Sequence, residues 1–136
     1  MKILFVCKSN IGRSQMAEAF FNNLSEYHEA ISAGIDARDY SGRKIRELSE
    51  KVCRCMLEEG IDISDKLSKQ LTKKLISQCE LIVWIAPEEV PEYLNKDKLI
   101  LWNIEDAGGK PYEFWRQVRD EIKKLVTDLI ENIEHS

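Results

Sequence analysis

The chain has 136 residues, of which 43% are hydrophobic and 32% charged. This balance is typical of one globular domain and excludes collagen, coiled coil and a fully disordered chain. Its net charge of −4 disfavours a general nucleic-acid binder, which is normally basic. No apolar run approaches the ~18 residues of a membrane helix, and the N-terminal segment lacks the features of a signal peptide. We therefore expect one domain over residues 1–136, in the cytoplasm, with neither nucleic acid nor membrane as a partner.

Strands and helices alternate along the chain in the hydrophobic pattern. A continuous apolar run predicts a buried strand over Lys2–Cys7, and an i, i+3, i+4 stripe predicts a helix over Ser14–Ser25. The later elements are a strand at 28–33, a helix from 45 to 59, a helix at 68–78, strands at 81–86 and 98–102, and a helix from about 113 to 133. This alternation predicts a three-layer α/β fold, a four-stranded parallel sheet flanked by helices, with ligands bound at the carboxyl edge of the strands.

The turn between the first strand and the first helix carries residue types that suit oxyanion chemistry. It contains, in order, Cys7, Lys8, Ser9, Asn10, Ile11, Gly12, Arg13 and Ser14. A helix N terminus offers unpaired N–H groups and a partial positive charge, so residues 8–13 are predicted to form a phosphate-binding loop. Asn10 tolerates the left-handed backbone that such a loop needs, and Gly12 removes bulk beside the anion.

Three side chains of this turn are candidates for catalysis. Arg13 supplies a planar fork that grips two phosphate oxygens. The same field favours the thiolate form of Cys7, which would be in line with the phosphorus of a bound ester. Ser14 can hydrogen-bond the sulfur and help it leave. The alternative is that Cys7 is a small apolar residue that ends a strand and Arg13 a surface charge.

Phosphoryl transfer to a thiolate also needs an acid for the leaving oxygen. The loop after the last strand contains Glu105 and Asp106, and either carboxyl group could serve. The glycine pair Gly108-Gly109 would let that loop move over the site. The alternative is that both acids are solvated loop charges.

Several motifs together resemble the low-molecular-weight protein tyrosine phosphatase family, which includes the thioredoxin-coupled arsenate reductases. They are Val6-Cys7-x-x-Asn10-x-x-Arg13-Ser14-x-x-Ala17-Glu18, Ser32-Ala33-Gly34, Glu59-Gly60-Ile61-Asp62-Ile63-Ser64, Ser68-Lys69-Gln70-Leu71 and Arg116-x-Val118-Arg119-Asp120-Glu121-Ile122. The resemblance covers nearly the whole chain. It implies a four-stranded parallel sheet, Cys7 as the nucleophile, residues 8–13 with Arg13 as the phosphate loop, and Asp106 as the general acid. It implies no metal or other cofactor.

The chain departs from the family pattern at several positions. The phosphatases usually have a second cysteine where this chain has Gly12, a proline where it has Ala107, and paired tyrosines near its Gly108-Gly109. The segment after Ser14 looks closer to the arsenate reductases. Those enzymes need two further cysteines after the third strand, and here the segment from that strand to Trp102 has none.

Three functions therefore compete. The leading prediction is hydrolysis of phosphotyrosine in a protein, or of a small aryl phosphate, through a cysteinyl-phosphate, with inorganic phosphate or another oxyanion also binding the loop. The second is arsenate reduction with Cys7 and another thiol, for which Cys53, Cys55 or Cys79 would be needed; Cys55 is expected in the core. The third is a non-catalytic phosphate-binding module. Candidate aromatic walls for the site are Tyr40, Trp102 and Tyr112.

Overall fold

The structure is a computed structural model, and it describes residues 1–135; Ser136, the last residue of the predicted domain, lies outside them. Four parallel strands form one sheet in the order β2-β1-β3-β4. They are β1 (Lys2–Cys7), β2 (Glu29–Gly34), β3 (Leu81–Ile85) and β4 (Leu99–Trp102). The predicted fold class is therefore confirmed.

Helices cover both faces of the sheet. They are α1 (Arg13–Leu24), α2 (Ile45–Leu48), α3 (Glu50–Leu57), α4 (Lys73–Gln78) and α5 (Tyr112–Glu134), with a 3₁₀ turn at Lys96–Lys98. On the central strand, Ile3 and Phe5 belong to a core shared with α1, α3 and α5, whereas Leu4 and Val6 face a smaller core beside α4. This burial on both faces explains why β1 is continuously apolar.

The register of the sheet places Cys7 at its carboxyl edge. In the pairing of β1 with β2, Cys7 stands opposite Gly34, while Val6 stands opposite Trp84 on β3. The loops that follow β1, β2 and β4 therefore meet above the same edge. No helix within residues 1–135 combines the length and the apolar character needed to cross a membrane.

Two helix predictions are wrong in extent. The helix predicted from residue 45 to 59 is divided, because Ser49 is extended (φ −156°) and its hydroxyl caps α3 by accepting from the Val52 N–H. The helix predicted over 68–78 begins only after Thr72, whose hydroxyl accepts from the Leu75 N–H. Residues 68–71 are extended instead, and their backbone groups form hydrogen bonds with other segments of the chain.

Candidate active site

The loop that follows Cys7 is held by its carbonyl groups. The Cys7 carbonyl accepts from the Ile35 N–H (3.0 Å) and the Lys8 carbonyl from the Asp36 N–H (2.8 Å). The Ser9 carbonyl accepts from the Ser68 hydroxyl (2.9 Å). In a planar trans peptide the N–H points opposite to the carbonyl, so the amides of residues 8, 9 and 10 point away from these anchors. Such a run of amides forms an anion-binding concavity.

Gly34 makes this loop geometry possible. A β carbon at position 34 would stand 2.6 Å from the Lys8 carbonyl oxygen and 2.8 Å from the Asn10 nitrogen. Both neighbours are backbone atoms, so no side-chain rotation could relieve the contact. The end of β2 therefore needs glycine because the loop that follows Cys7 passes directly over it.

The side chain of Asn10 is a structural element of the loop. Asn10 is fully buried and has a left-handed backbone (φ 54°), as predicted for this position. Its amide nitrogen donates to the hydroxyls of Ser14 (2.7 Å) and Ser32 (2.9 Å). Its amide oxygen accepts from Gln15 Nε2 (3.0 Å) and from the Lys69 N–H (2.9 Å). The side-chain amide of Asn10 thus uses its whole hydrogen-bonding capacity to fix the loop rather than to bind a ligand.

Ser14 connects this network to Cys7. Its hydroxyl oxygen lies 2.9 Å from Cys7 Sγ. Because the same oxygen accepts from Asn10 Nδ2, the hydroxyl proton is free to be donated to the sulfur. That arrangement suits a thiolate, which accepts hydrogen bonds and cannot donate them.

The network continues inward to a buried carboxylate. The Ser32 hydroxyl donates to Glu18 Oε1 (3.0 Å), and Lys66 Nζ donates to Glu18 Oε2 (2.9 Å). Only 7% of the Glu18 side chain is exposed, so an ammonium partner is what makes a charged carboxylate tolerable there. The pKa of the neighbouring Lys69 is lowered by burial, an effect opposed by the Glu18 carboxylate.

Arg13 brings an uncompensated positive charge to the site. Arg13 is only 4% exposed, and its guanidinium donates to the Ile104 carbonyl (2.9 Å). Within residues 1–135, no carboxylate lies within ion-pair distance of it. The N terminus of α1 beside it has no side-chain cap and no acidic residue in its first turn. A buried cation next to free helix amides is an environment that favours a bound anion.

These groups face a cleft of about 340 Å³. Among the predicted site residues, Cys7, Ser9, Ile11, Gly12, Arg13 and Asp106 line it. Lys8 is exposed and does not line the cleft, and Asn10 and Ser14 are fully buried beneath its lining.

The two candidate acids face different ways. Asp106 lines the cleft, and its carboxylate accepts from the Gly108 N–H (2.9 Å). Glu105 lies instead with Phe114 and Gln117 on the outer side of the loop. Asp106 is thus the carboxylate on the same cleft as Cys7.

The aromatic walls differ in part from those predicted. Tyr40 lines the cleft, whereas Trp102 is buried against Phe5 (5.7 Å between ring centroids). Tyr112 packs under the Arg54 guanidinium (4.1 Å) away from the cleft lining. The second wall is Trp115, on the first turn of α5. In the sequence, Trp115 is one apolar residue among several on this helix, and nothing in the pattern distinguishes it from the core residues.

The remaining thiols lie apart from this cleft. Cys53, Cys55 and Cys79 are buried and free, and none lines it. Burial raises the pKa of all three, that of Cys55 to about 11. Cys55 belongs to the core, as predicted. Within residues 1–135 no cluster of three or more histidine, cysteine or acidic side chains is placed to hold a metal ion.

Comparison with known proteins gives the class. Residues 2–136 match the family described as low molecular weight phosphotyrosine protein phosphatase, and the chain belongs to that family. The fold agrees: the low molecular weight protein tyrosine phosphatase of T. tengcongensis superimposes with a TM-score of 0.83 at 32% identity, over 97% of this chain and 99% of that one.

The relatives within this family carry more than one activity. Arsenate reductase 2 of Staphylococcus haemolyticus is 31% identical over 91% of this chain and 92% of its own length. The glutaredoxin arsenate reductase of Synechocystis is 34% identical over 97% and 98%. A solved arsenate reductase in a phosphate-binding state has a TM-score of 0.81 at 29% identity, over 97% of this chain and 98% of that one. The family is therefore shown to include both phosphatases and arsenate reductases.

Proposed function

We propose that this protein hydrolyses phosphate monoesters, with a cysteinyl-phosphate as the intermediate. The supporting observation is that Cys7, the uncompensated Arg13 and the Asp106 carboxylate line one cleft. An anion binder needs the cation and the loop amides, but neither a nucleophile nor an acid.

The proposed reaction has two displacements at phosphorus. In the first, the Cys7 thiolate attacks phosphorus, the phosphorus–oxygen bond to the leaving group breaks, and Asp106 gives that oxygen a proton. In the second, water attacks the cysteinyl-phosphate, Asp106 takes a proton from the water, and the sulfur–phosphorus bond breaks. The Ser14 hydroxyl stabilises the thiolate that leaves. The Arg13 guanidinium and the amides of residues 8–10 hold the phosphoryl oxygens throughout.

The proposed substrate is an aryl phosphate, either phosphotyrosine in a protein or a small molecule. Tyr40 and Trp115 both line the cleft that contains Cys7, and aromatic rings favour packing against a flat aryl group. The free thiols fit a reducing compartment, so we place the protein in the cytoplasm.

Arsenate reduction is the second candidate, favoured by the curated relatives that carry that name. Arsenate resembles phosphate in shape and charge and would occupy the same loop. Its reduction to arsenite takes two electrons. The Cys7 thiol would bond to arsenic with loss of water from the arsenate, and a second thiolate would then attack that sulfur, so that a disulfide forms, the sulfur–arsenic bond breaks and its electron pair stays on arsenic as arsenite. Because the three other thiols lie outside the cleft, the second thiol would have to come from another molecule.

One experiment separates these functions. Steady-state hydrolysis of para-nitrophenyl phosphate is measured beside arsenate reduction with glutathione or a dithiol protein as the reductant. We expect ester turnover by the wild type and by a Cys53→Ala/Cys55→Ala/Cys79→Ala variant, and none by Cys7→Ser. Arsenate reduction without ester turnover would identify the reductase. Phosphate binding with neither activity would identify a binding module.

A further inference from the structure

We propose that Ser68 is a positioning residue for the phosphate loop, acting by fixing the peptide between Ser9 and Asn10 so that the Asn10 N–H faces the bound oxyanion. This inference concerns the site of the proposed function, but it requires only that the loop binds an oxyanion. It holds for phosphate hydrolysis and arsenate reduction alike.

Three carbonyl groups of the loop accept hydrogen bonds, and their donors differ in kind. The donors to the Cys7 and Lys8 carbonyls are backbone amides of the segment that continues β2, so they are present whatever the side chains are. The third anchor, on the Ser9 carbonyl, is the Ser68 hydroxyl. Among these three anchors it alone depends on a side chain, and Ser68 is fully buried.

The peptide between Ser9 and Asn10 has no other fixed partner in the part of the chain that the structure describes. Within residues 1–135, neither the Ser9 nor the Asn10 N–H donates to a backbone or side-chain acceptor. Without the Ser68 hydroxyl, the part-buried Ser9 carbonyl would lose its only donor among residues 1–135, and an unmet acceptor that is shielded from water is costly. Rotation of the peptide would relieve that cost but would aim a carbonyl oxygen, instead of an N–H, at the anion.

The Ser68 hydroxyl can be removed without detaching the segment that carries it. The adjacent Lys69 N–H donates to Asn10 Oδ1, and Lys66 Nζ pairs with Glu18. The backbone of Ser68 itself is tied on both sides, its N–H to the Arg43 carbonyl (3.0 Å) and its carbonyl to the Gly42 N–H (2.9 Å). Ser68→Ala is therefore a local change in one hydrogen bond.

The test uses Ser68→Ala and, as a matched control, Thr72→Ala. Thr72 lies four residues later in the same segment, and its hydroxyl caps α4. Thr72→Ala therefore also removes one hydrogen bond between a side chain and the backbone, but that bond involves no atom of the loop after Cys7. Two quantities are measured. One is the affinity for inorganic phosphate, determined by calorimetry, and the other is the pH midpoint of the reaction of Cys7 with iodoacetate. Both readouts are independent of turnover.

We expect Ser68→Ala to bind phosphate about tenfold more weakly, the loss of one hydrogen bond to an anion, and to shift the alkylation midpoint to higher pH. Thr72→Ala should leave both values within twofold of the wild type. Ser68→Cys, which keeps the volume and a weak donor, should give an intermediate phosphate affinity, and it serves as the test if the alanine variant does not fold.

Unchanged phosphate affinity and alkylation midpoint in Ser68→Ala would overturn the inference, as would an equal loss in Thr72→Ala. Failure of the proposed function has a different signature. In that case the wild type would hydrolyse no aryl phosphate while the difference in phosphate affinity between wild type and Ser68→Ala would remain.

Discussion

The ring of Trp115 occupies the space into which a side chain at position 12 would project. A β carbon on Gly12 would stand 2.8 Å from Trp115 Cζ3 and 3.2 Å from Cη2. Phosphatases of this family usually place a cysteine at that position. In this chain the cleft wall at Trp115 and the glycine in the loop are mutually dependent.

This contact predicts the effect of restoring the family cysteine. Gly12→Cys should lower the free energy of unfolding by about 1–3 kcal/mol, the usual cost of overpacking. In the double variant with Trp115→Leu, the loss should be smaller than the sum of the two single losses, because the clash is then removed. Urea unfolding of the four proteins measures this, and additive losses would show that the ring is free to move aside.

A second glycine should affect catalysis more than stability. Gly34→Ala would push its new methyl group into the backbone of Lys8 and Asn10, so we expect kcat/KM for para-nitrophenyl phosphate to fall by more than about 10². Gly60→Ala is the control. Gly60 has a left-handed backbone (φ 76°) with open space around it, so alanine there should cost about 1 kcal/mol of stability at unchanged kcat/KM. Full activity in Gly34→Ala would contradict the loop geometry.

The two acids of the loop after β4 give a third prediction. Asp106→Asn should lower kcat about 10²–10⁴-fold on phenyl phosphate and less on the activated nitrophenyl ester, whose leaving group needs little protonation. Glu105→Gln, on the outer side of the loop, is the matched control and should change kcat less than threefold. An equal loss on both esters, or a greater loss in Glu105→Gln, would show that Asp106 is not the general acid.

The four thiols should differ in reactivity. Alkylation requires the thiolate, and burial raises the pKa of Cys53, Cys55 and Cys79. With a pKa of about 11, Cys55 is thiolate to only about one part in 10⁴ at pH 7. We expect iodoacetate at pH 6–7 to label Cys7 alone in the folded protein, inorganic phosphate to block it, and all four to react in denaturant at pH 9. Mass spectrometry of the digests identifies the sites, and equal slow labelling of all four would exclude an activated loop thiol.

The same burial predicts a loss of stability at alkaline pH. The pKa of Cys55 rises from 9.0 to about 11 in the folded protein, so above pH 9 the unfolded chain binds fewer protons than the folded chain. The Cys55 contribution to stability is therefore complete below pH 9 and declines as the pH rises through about 11. Denaturant midpoints of wild type and Cys55→Ala should converge over that interval. A constant difference between them would contradict the prediction.

The sequence predicted the sheet well because its strands are short, apolar and clearly bounded. Both ends of β1 are as predicted, and Cys7, Arg13 and Asp106 come to one cleft. The prediction failed over 68–72, where Leu71 and Leu75 suggested a helix. The hydrogen bonds of this segment go to residues distant in the chain, such as Ser9 and Asn10, and hydrophobic periodicity contains no information about those partners.

The same limit applies to the cleft walls. Trp115 is one of several apolar residues on α5, and only the crossing of that helix over the loop separates it from its core neighbours. Trp102, by contrast, was predicted as an aromatic wall, with core packing at the end of a strand as the alternative. Its side chain turned out to pack on Phe5 beneath the sheet edge, a choice of face that depends on strand register.

The hydrogen bond from Arg13 to the Ile104 carbonyl joins residues 91 positions apart in the chain. Together with the Ser68–Ser9 bond, which spans 59 positions, it means that a fragment lacking either Ser68 or the loop after β4 lacks part of the hydrogen bonding that fixes the loop after Cys7 and Arg13. The entropic cost of closing these long loops is offset only when the contacts of the complete sheet have formed. We therefore expect phosphate to bind the native state alone and to raise the melting temperature in proportion to the logarithm of its concentration once the site is saturated. Thermal shift in phosphate thus reports complete folding of the chain, from β1 through the loop after β4.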